Sequence, residues 1–168
     1  METKKILPSL VCGFGAAVLT IVPGIKNIGC CLIVPLAAFM SLFLDIKVNK
    51  SLPPIDLKKA FAFGILTGIF AAFFSTFFDV LITFISHTND YIAALPQTES
   101  LMKTYGLTGP LFDQTITMLR SMAKQIQTNG FSPLYTFMIF VTNIFIDFIF
   151  GIFGSLLGMS FLNKRIQH

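Results

Sequence analysis

The sequence predicts an all-α membrane protein with four transmembrane helices and an amphipathic helix in the long loop between helices three and four. Hydrophobic residues make up 54% of the 168 residues and charged residues only 12%, about half the charged fraction of an ordinary soluble domain. The apolar residues are concentrated in four long runs. Basic residues flank these runs instead of forming a stripe, which is typical of membrane proteins and argues against nucleic acid as a partner.

Each apolar run is predicted to be one membrane-spanning helix, because a span needs about 20 apolar residues, within a range of roughly 17–25. The runs cover about 6–25, 28–44, 60–85 and 131–162. The second is at the short limit, whereas the third and fourth are long enough to tilt or to extend past the lipid. Together they indicate a single membrane domain over residues 1–168.

The order of connections predicts the orientation in the membrane. Pro23 to Asn27 reads as a tight turn, so the first two helices should form an antiparallel hairpin. Both termini then share one side, which collects eight basic residues: Lys4, Lys5, Lys47, Lys50, Lys58, Lys59, Lys164 and Arg165. The other side has Lys26, Lys103, Arg120 and Lys124. This excess places both termini in the cytoplasm of a multi-pass inner (plasma) membrane protein, and residues 87–130 outside it.

The long loop at 87–130 contains a helical pattern of its own. Apolar residues recur at helical spacing from Leu111 to Ile126, and polar residues fill the opposite face. We expect an amphipathic helix that lies on the bilayer surface or caps the bundle. The nearby Tyr91, Tyr105 and Tyr135 favour headgroup depth. A solvated linker is the alternative.

Small residues recur every four positions in the third and fourth runs, which puts them on one face of each helix. The positions are Gly64, Gly68 and Gly151, with Gly154 and Gly158 as an adjacent pair. Helices in lipid associate where small side chains let backbones approach. We therefore expect these faces to point inward and the Phe residues to point toward lipid. The pattern does not separate packing within one chain from a seam between two copies.

Polar residues inside the runs form a predicted intramembrane cluster of Ser75, Asp79, Thr83, Asn143 and Asp147. A charged side chain at bilayer depth costs several kcal/mol, so it usually faces an interior or a water-filled cavity. Counted from the outer helix ends, Asp79 lies about 9 Å deep, Asn143 about 14 Å and Asp147 about 20 Å. Asp79 and Asn143 are therefore expected within reach of each other. Either the cluster, with Thr76, is a hydrogen-bonded clamp, or the two Asp residues serve a proton or cation path.

Other residue types suggest no chemistry. No catalytic Ser/His/Asp or Cys/His set falls at one membrane depth, and neither His87 nor His168 has neighbours at metal-ligand spacing. We expect no enzyme, cofactor or metal. Cys12, Cys30 and Cys31 lie in apolar runs and are interpreted as packing residues. The apolar stretch before Cys12 is too short for a signal peptide, so the first helix is expected to be retained.

The first half of the chain resembles small bacterial four-helix inner-membrane proteins that are catalogued only as a domain of unknown function. The resemblance is carried by Val22-Pro23-Gly24, Cys30-Cys31-Leu32, Pro35-Leu36-Ala37-Ala38, Ala62-Phe63-Gly64 and Gly68. It implies a bacterial inner-membrane location and brings no activity.

From these patterns the chain is interpreted as a non-enzymatic membrane protein. It would act by helix packing, oligomerisation, or interaction with lipid or a membrane-protein partner. The alternative is a small transporter or channel subunit that uses Asp79 and Asp147 for proton or cation coupling.

Overall fold

The protein is all-α in a computed structural model that describes residues 3–22, 29–49, 54–106 and 109–166. Within these ranges six α-helices form. They are α1 (Thr3–Ile21), α2 (Val34–Asn49), α3 (Leu57–Ser86), α4 (Asp90–Thr104), α5 (Pro110–Asn129) and α6 (Pro133–Ile166), with a π-helical turn at Gly29–Ile33 before α2. The predicted turn at Pro23–Asn27 lies outside the described residues.

Each of the four predicted apolar runs contains a helix. Three of them are long and apolar enough to cross a membrane: Cys31–Val48, Leu57–Ser86 and Pro133–Lys164. The first run forms a shorter apolar helix, Ile6–Ile21. The all-α class is thereby confirmed, with three long apolar helices and one shorter one. Helix α2 continues to Asn49, past the predicted end near residue 44.

The long loop contains the predicted amphipathic helix and one further helix that sequence analysis missed. The amphipathic helix predicted from Leu111 is α5, and its apolar face buries Ile116, Met122, Ala123 and Ile126. The missed helix is α4, which has no buried residues and contains Pro96. Its apolar pattern is therefore too weak to detect by periodicity. The available signal was Asn89, whose side-chain oxygen caps the helix by accepting from the Ile92 amide at 3.0 Å.

The chain divides into two compact units. The first comprises the described residues of Met1–Phe78 and Ile139–His168, and the second comprises Asp79–Met138. The first unit therefore holds α1, α2, most of α3 and most of α6. The second holds the end of α3, the hairpin of α4 and α5, and the beginning of α6. That the whole chain is one membrane domain stays a prediction.

The interior of the first unit is built from a few aliphatic side chains and many small ones. One cluster joins α2, α3 and α6 through Leu42, Phe63 and Leu162. Another joins α1, α2 and α3 through Ala16, Val34 and Ala71. Most of the larger apolar side chains remain on the outside, which is the reverse of a water-soluble core.

The second unit is tied together by polar contacts between its helices. Arg120 of α5 donates two hydrogen bonds to Glu99 of α4, at 2.8 and 2.7 Å. The guanidinium of Arg120 lowers the pKa of the Glu99 carboxyl through these bonds. Tyr91 of α4 donates to the Leu119 carbonyl of α5 at 2.8 Å. Burial, reinforced by the charge of Glu99, raises the Tyr91 pKa, so the hydroxyl stays protonated and remains a donor.

Gly130 ends α5 in a left-handed conformation, with φ of 70°, and lies against the backbone of α3. A Cβ at this position would lie 2.6 Å from the carbonyl oxygen of Phe84. We therefore expect Gly130→Ala to lower the free energy of unfolding by about 2–4 kcal/mol, from left-handed strain plus the backbone clash. Thermal unfolding followed by circular dichroism in one detergent measures the loss.

Gly106 provides the matched control for this substitution. Its φ is 72°, but nothing lies within 4 Å of the position its Cβ would take. Gly106→Ala should therefore cost only the strain, about 1–2 kcal/mol. Equal losses in the two variants would contradict a packing role for Gly130.

Candidate functional site

Helices α3 and α6 are in backbone contact at three of the predicted glycines. A Cβ on Gly64 would lie 2.8 Å from the Gly151 carbonyl oxygen, and a Cβ on Gly151 would lie 2.5 Å from that of Gly64. A Cβ on Gly68 would lie 2.9 Å from the carbonyl carbon of Asp147 and would also meet its oxygen. Side chains other than hydrogen do not fit at these distances, so this crossing requires glycine.

The two remaining predicted glycines bring α6 against α2. A Cβ on Gly154 would collide with the backbone of Pro35, and one on Gly158 would lie 2.9 Å from the ring of Phe39. Helix α6 therefore uses adjacent strips of small residues for two neighbours. Gly64, Gly68 and Gly151 serve the α3 contact, whereas Gly154 and Gly158 serve the α2 contact.

Hydrogen bonds between side chains connect the helices of the first unit. Asn143 of α6 donates to the Thr76 hydroxyl of α3 at 2.9 Å. The hydroxyls of Thr20 in α1 and Ser75 in α3 are 3.3 Å apart. Thr67 of α3 donates to Ser41 of α2 at 3.0 Å. Helix α3 is thus hydrogen-bonded to each of the other three helices of this unit. The bonded side chains are small and at least partly shielded from solvent, which strengthens hydrogen bonds.

Asp147 lies in the interior of the first unit, with 6% of its surface exposed. Its backbone is the part of α6 that touches Gly68. Within the part of the chain that the structure describes, its carboxyl group makes no hydrogen bond or ion pair. A carboxyl group in such surroundings is costly to ionise and is a common mark of a functional position in a membrane helix.

The other predicted cluster residues are distributed over both units. Ser75 is half-buried in the first unit and contacts Thr20. Asp79 and Thr83 belong to the second unit, where Asp79 is half-buried and Thr83 is buried. Asn143 bonds to Thr76, which sequence spacing placed beside Ser75 on α3. The polar cluster remains a prediction as a functional unit.

Sequence analysis missed two polar contacts, one that joins α2 to α3 and one that joins the segment before α3 to α6. Asp45 is buried in α2 and forms an ion pair with Lys59 of α3. The amide of Ile55 donates to the Asn163 side-chain oxygen at 2.9 Å, and the Asn163 side chain donates back to the Ile55 carbonyl at 3.2 Å. The sequence suggested only that Asp45 closes the second apolar run. The opposite charges of Asp45 and Lys59 were visible in the sequence. That the two side chains lie close together was not, because it depends on the tertiary structure.

The described residues contain no group of three or more His, Cys, Asp or Glu side chains that could hold a metal ion. The side chains at this site are carboxyl, hydroxyl and amide groups, which can form hydrogen bonds and, at Asp147, bind and release a proton. The arrangement therefore supports helix packing, and Asp147 adds one buried carboxyl group to it.

Adding a methyl group at Gly68 tests the contact between α3 and α6. We expect Gly68→Ala to lower the free energy of unfolding by about 1–3 kcal/mol, because the new Cβ overlaps the backbone at Asp147. Gly15→Ala is the matched control, since nothing lies within 4 Å of a Cβ there. Thermal unfolding in detergent should show a loss for Gly68→Ala alone. Unchanged stability in both variants would refute the close contact.

No protein-family model, curated protein sequence or solved structure matches this chain.

Proposed function

We propose that this chain is an integral membrane protein that crosses the bilayer four times, with both termini in the cytoplasm. It acts without catalysis, through the packing of its helices and through contacts with lipid, a second copy or a membrane-protein partner. The excess of basic residues on the side of the two termini supports this orientation.

The observation that carries the proposal is the distribution of side chains in the first unit. Large apolar residues lie outside: Phe73, Phe77, Phe145, Phe153 and Phe161 are all more than half exposed. Small and polar residues lie inside: Ser9, Ser41, Thr67 and Ser155 are fully buried. In water, exposing so many large apolar side chains would be strongly unfavourable. In a bilayer it costs little, because lipid tails are as apolar as Phe and Leu side chains.

Helix lengths support four crossings of a hydrocarbon layer about 30 Å thick. The part of α3 from Ala60 to Phe78 extends about 28 Å. Helix α1 is apolar over Ile6–Ile21, about 24 Å, so the bilayer would thin slightly around it. Under this assignment Asp79 reaches the membrane interface. Gly68 lies near the middle of that stretch of α3, so under the same assignment its contact residue Asp147 would be near mid-membrane.

Reporter fusions test the number of crossings. A reporter that is active only outside the cytoplasm should work when fused after Gly106, between α4 and α5, and fail when fused at His168. A reporter that needs the cytoplasm should give the opposite result. Reporters that place the two chain ends in opposite compartments would exclude four spans. Release of the chain by an alkaline wash would exclude membrane integration.

A second candidate function is proton- or cation-coupled transport, which the position of Asp147 favours. This carboxyl group is buried in an apolar helix, and the described residues provide it with no cation. A group of this kind can load and release a proton when water or a substrate reaches it. Asp79, closer to the membrane interface under the proposed topology, would be the group that exchanges with the outer compartment.

Charge-neutral substitution separates the two candidates. If transport is the function, Asp147→Asn and Asp79→Asn should leave the fold intact and abolish a proton- or cation-dependent flux in proteoliposomes. If packing is the function, the parent protein should show no such flux, and Asp147→Asn should change only thermal stability. Asp113→Asn is the matched control, because Asp113 is exposed on α5. A flux that survives Asp147→Asn would exclude the transport candidate in this form.

A further inference from the structure

A groove of about 270 Å³ lies between α1 and α2 in the first unit. Its lining side chains are all aliphatic or sulfur-containing, apart from one glycine; they include Cys12, Gly15, Leu19, Leu36, Ala37 and Met40. The groove is larger than an engineered apolar protein cavity of about 150 Å³ that stays dry and binds benzene. This lining provides no strong hydrogen-bonding group for water or for a polar headgroup.

Gly15 differs from the other glycines of the described α-helices. Gly13, Gly64, Gly68, Gly151, Gly154 and Gly158 all lie where a Cβ would strike a neighbouring helix, but Gly15 has nothing within 4 Å. A glycine inside a helix costs about 1 kcal/mol relative to alanine. Contacts among the described residues do not account for that cost at Gly15. Its missing side chain instead leaves space in the groove.

The groove borders favour a thin occupant. Leu36 and Leu19 are 60% and 49% exposed and therefore project beside the opening, whereas Ala16 is almost completely buried beneath it. A helix from another protein would need its backbone close to Gly15, and the exposed leucines of α1 and α2 that line the groove would hinder that approach. A single hydrocarbon chain is narrow enough to enter between them and contact Gly15 and Ala37.

We propose that this groove holds one acyl chain of a membrane lipid as a fixed part of the structure, seated on Gly15 between α1 and α2. The inference rests on the proposed membrane-spanning arrangement, under which hydrocarbon is the surrounding solvent of these helices. Bound in this way, the acyl chain fills space that the chain's own side chains leave empty and gains dispersion contacts on both sides. The lipid then contributes to the packing of α1 on α2.

Photocrosslinking in liposomes tests this site. The purified full-length protein is reconstituted in phosphatidylcholine that carries a diazirine in one acyl chain, and labelled peptides are mapped by mass spectrometry. We expect labelling at Leu19, Leu36 and Met40 to exceed severalfold that at Phe73 and Phe153, which are similarly exposed but lie outside this groove. Labelling at the groove should also persist when unlabelled lipid is added in excess.

A filling substitution provides the decisive comparison. Gly15→Leu should remove the excess labelling at Leu36 and Met40 without loss of thermal stability, because its side chain enters open space. Ala62→Leu is the matched control, since Ala62 is a small, exposed residue of α3 outside the groove. It should leave the labelling unchanged.

Three outcomes would overturn the inference. Equal labelling at the groove and at the two Phe positions would mean that lipid exchanges freely at the groove. The proposed membrane-spanning arrangement would not be affected by that result. A dimer in intact-mass measurements that Gly15→Leu abolishes would assign the groove to a second copy. Absence of label throughout α3 and α6 would refute the membrane-spanning arrangement together with the groove.

Discussion

The contact between α3 and α6 is the constraint on which the first unit depends. Inside hydrocarbon, helices gain little from hiding apolar surface, since lipid tails are as apolar as the side chains. Association must come from close packing and from hydrogen bonds. At Gly64, Gly68 and Gly151 the two backbones are in direct contact, and the small Ser155 side chain also lies against Gly64. This proximity also brings the Asn143 amide within reach of the Thr76 hydroxyl.

The same proximity explains why the buried polar side chains are mostly small. Helices that approach this closely leave room for Ser, Thr and Ala but not for Phe or Leu, so the large residues are directed outward. Hydroxyl groups of Ser and Thr can bond to the preceding turn of their own helix, as Ser41 and Ser155 do. Most buried hydroxyl groups of the first unit are satisfied in this way or by a neighbouring helix, whereas the Ser9 hydroxyl has no hydrogen-bond partner among the described residues. Asp45 is balanced by Lys59, whereas Asp147 has no such cation among the described residues.

The second unit follows different physical rules. Helix α5 has one apolar and one charged face, and its apolar face is buried, as in a water-soluble domain. The hairpin is further held by the paired hydrogen bonds of Arg120 with Glu99, which are exposed and so contribute little on their own. The Tyr91 hydroxyl adds a bond to the backbone of α5. These contacts are characteristic of a segment that meets water.

Hydropathy and spacing alone determined that the chain is helical, where its four apolar helices lie, and which glycines occupy one face. This was possible because helix periodicity and apolar run length are local properties of the sequence. Tertiary structure decided what is not local. It showed that Asp45 pairs with Lys59, that Asn143 bonds to Thr76, and that Gly15 alone among the described helical glycines meets no neighbour. Sequence analysis missed helix α4 because none of its side chains is fully buried, so it has no clear apolar stripe. These features depend on the rotation of each helix and on its distance from its neighbours. Residue spacing within a single helix does not determine either.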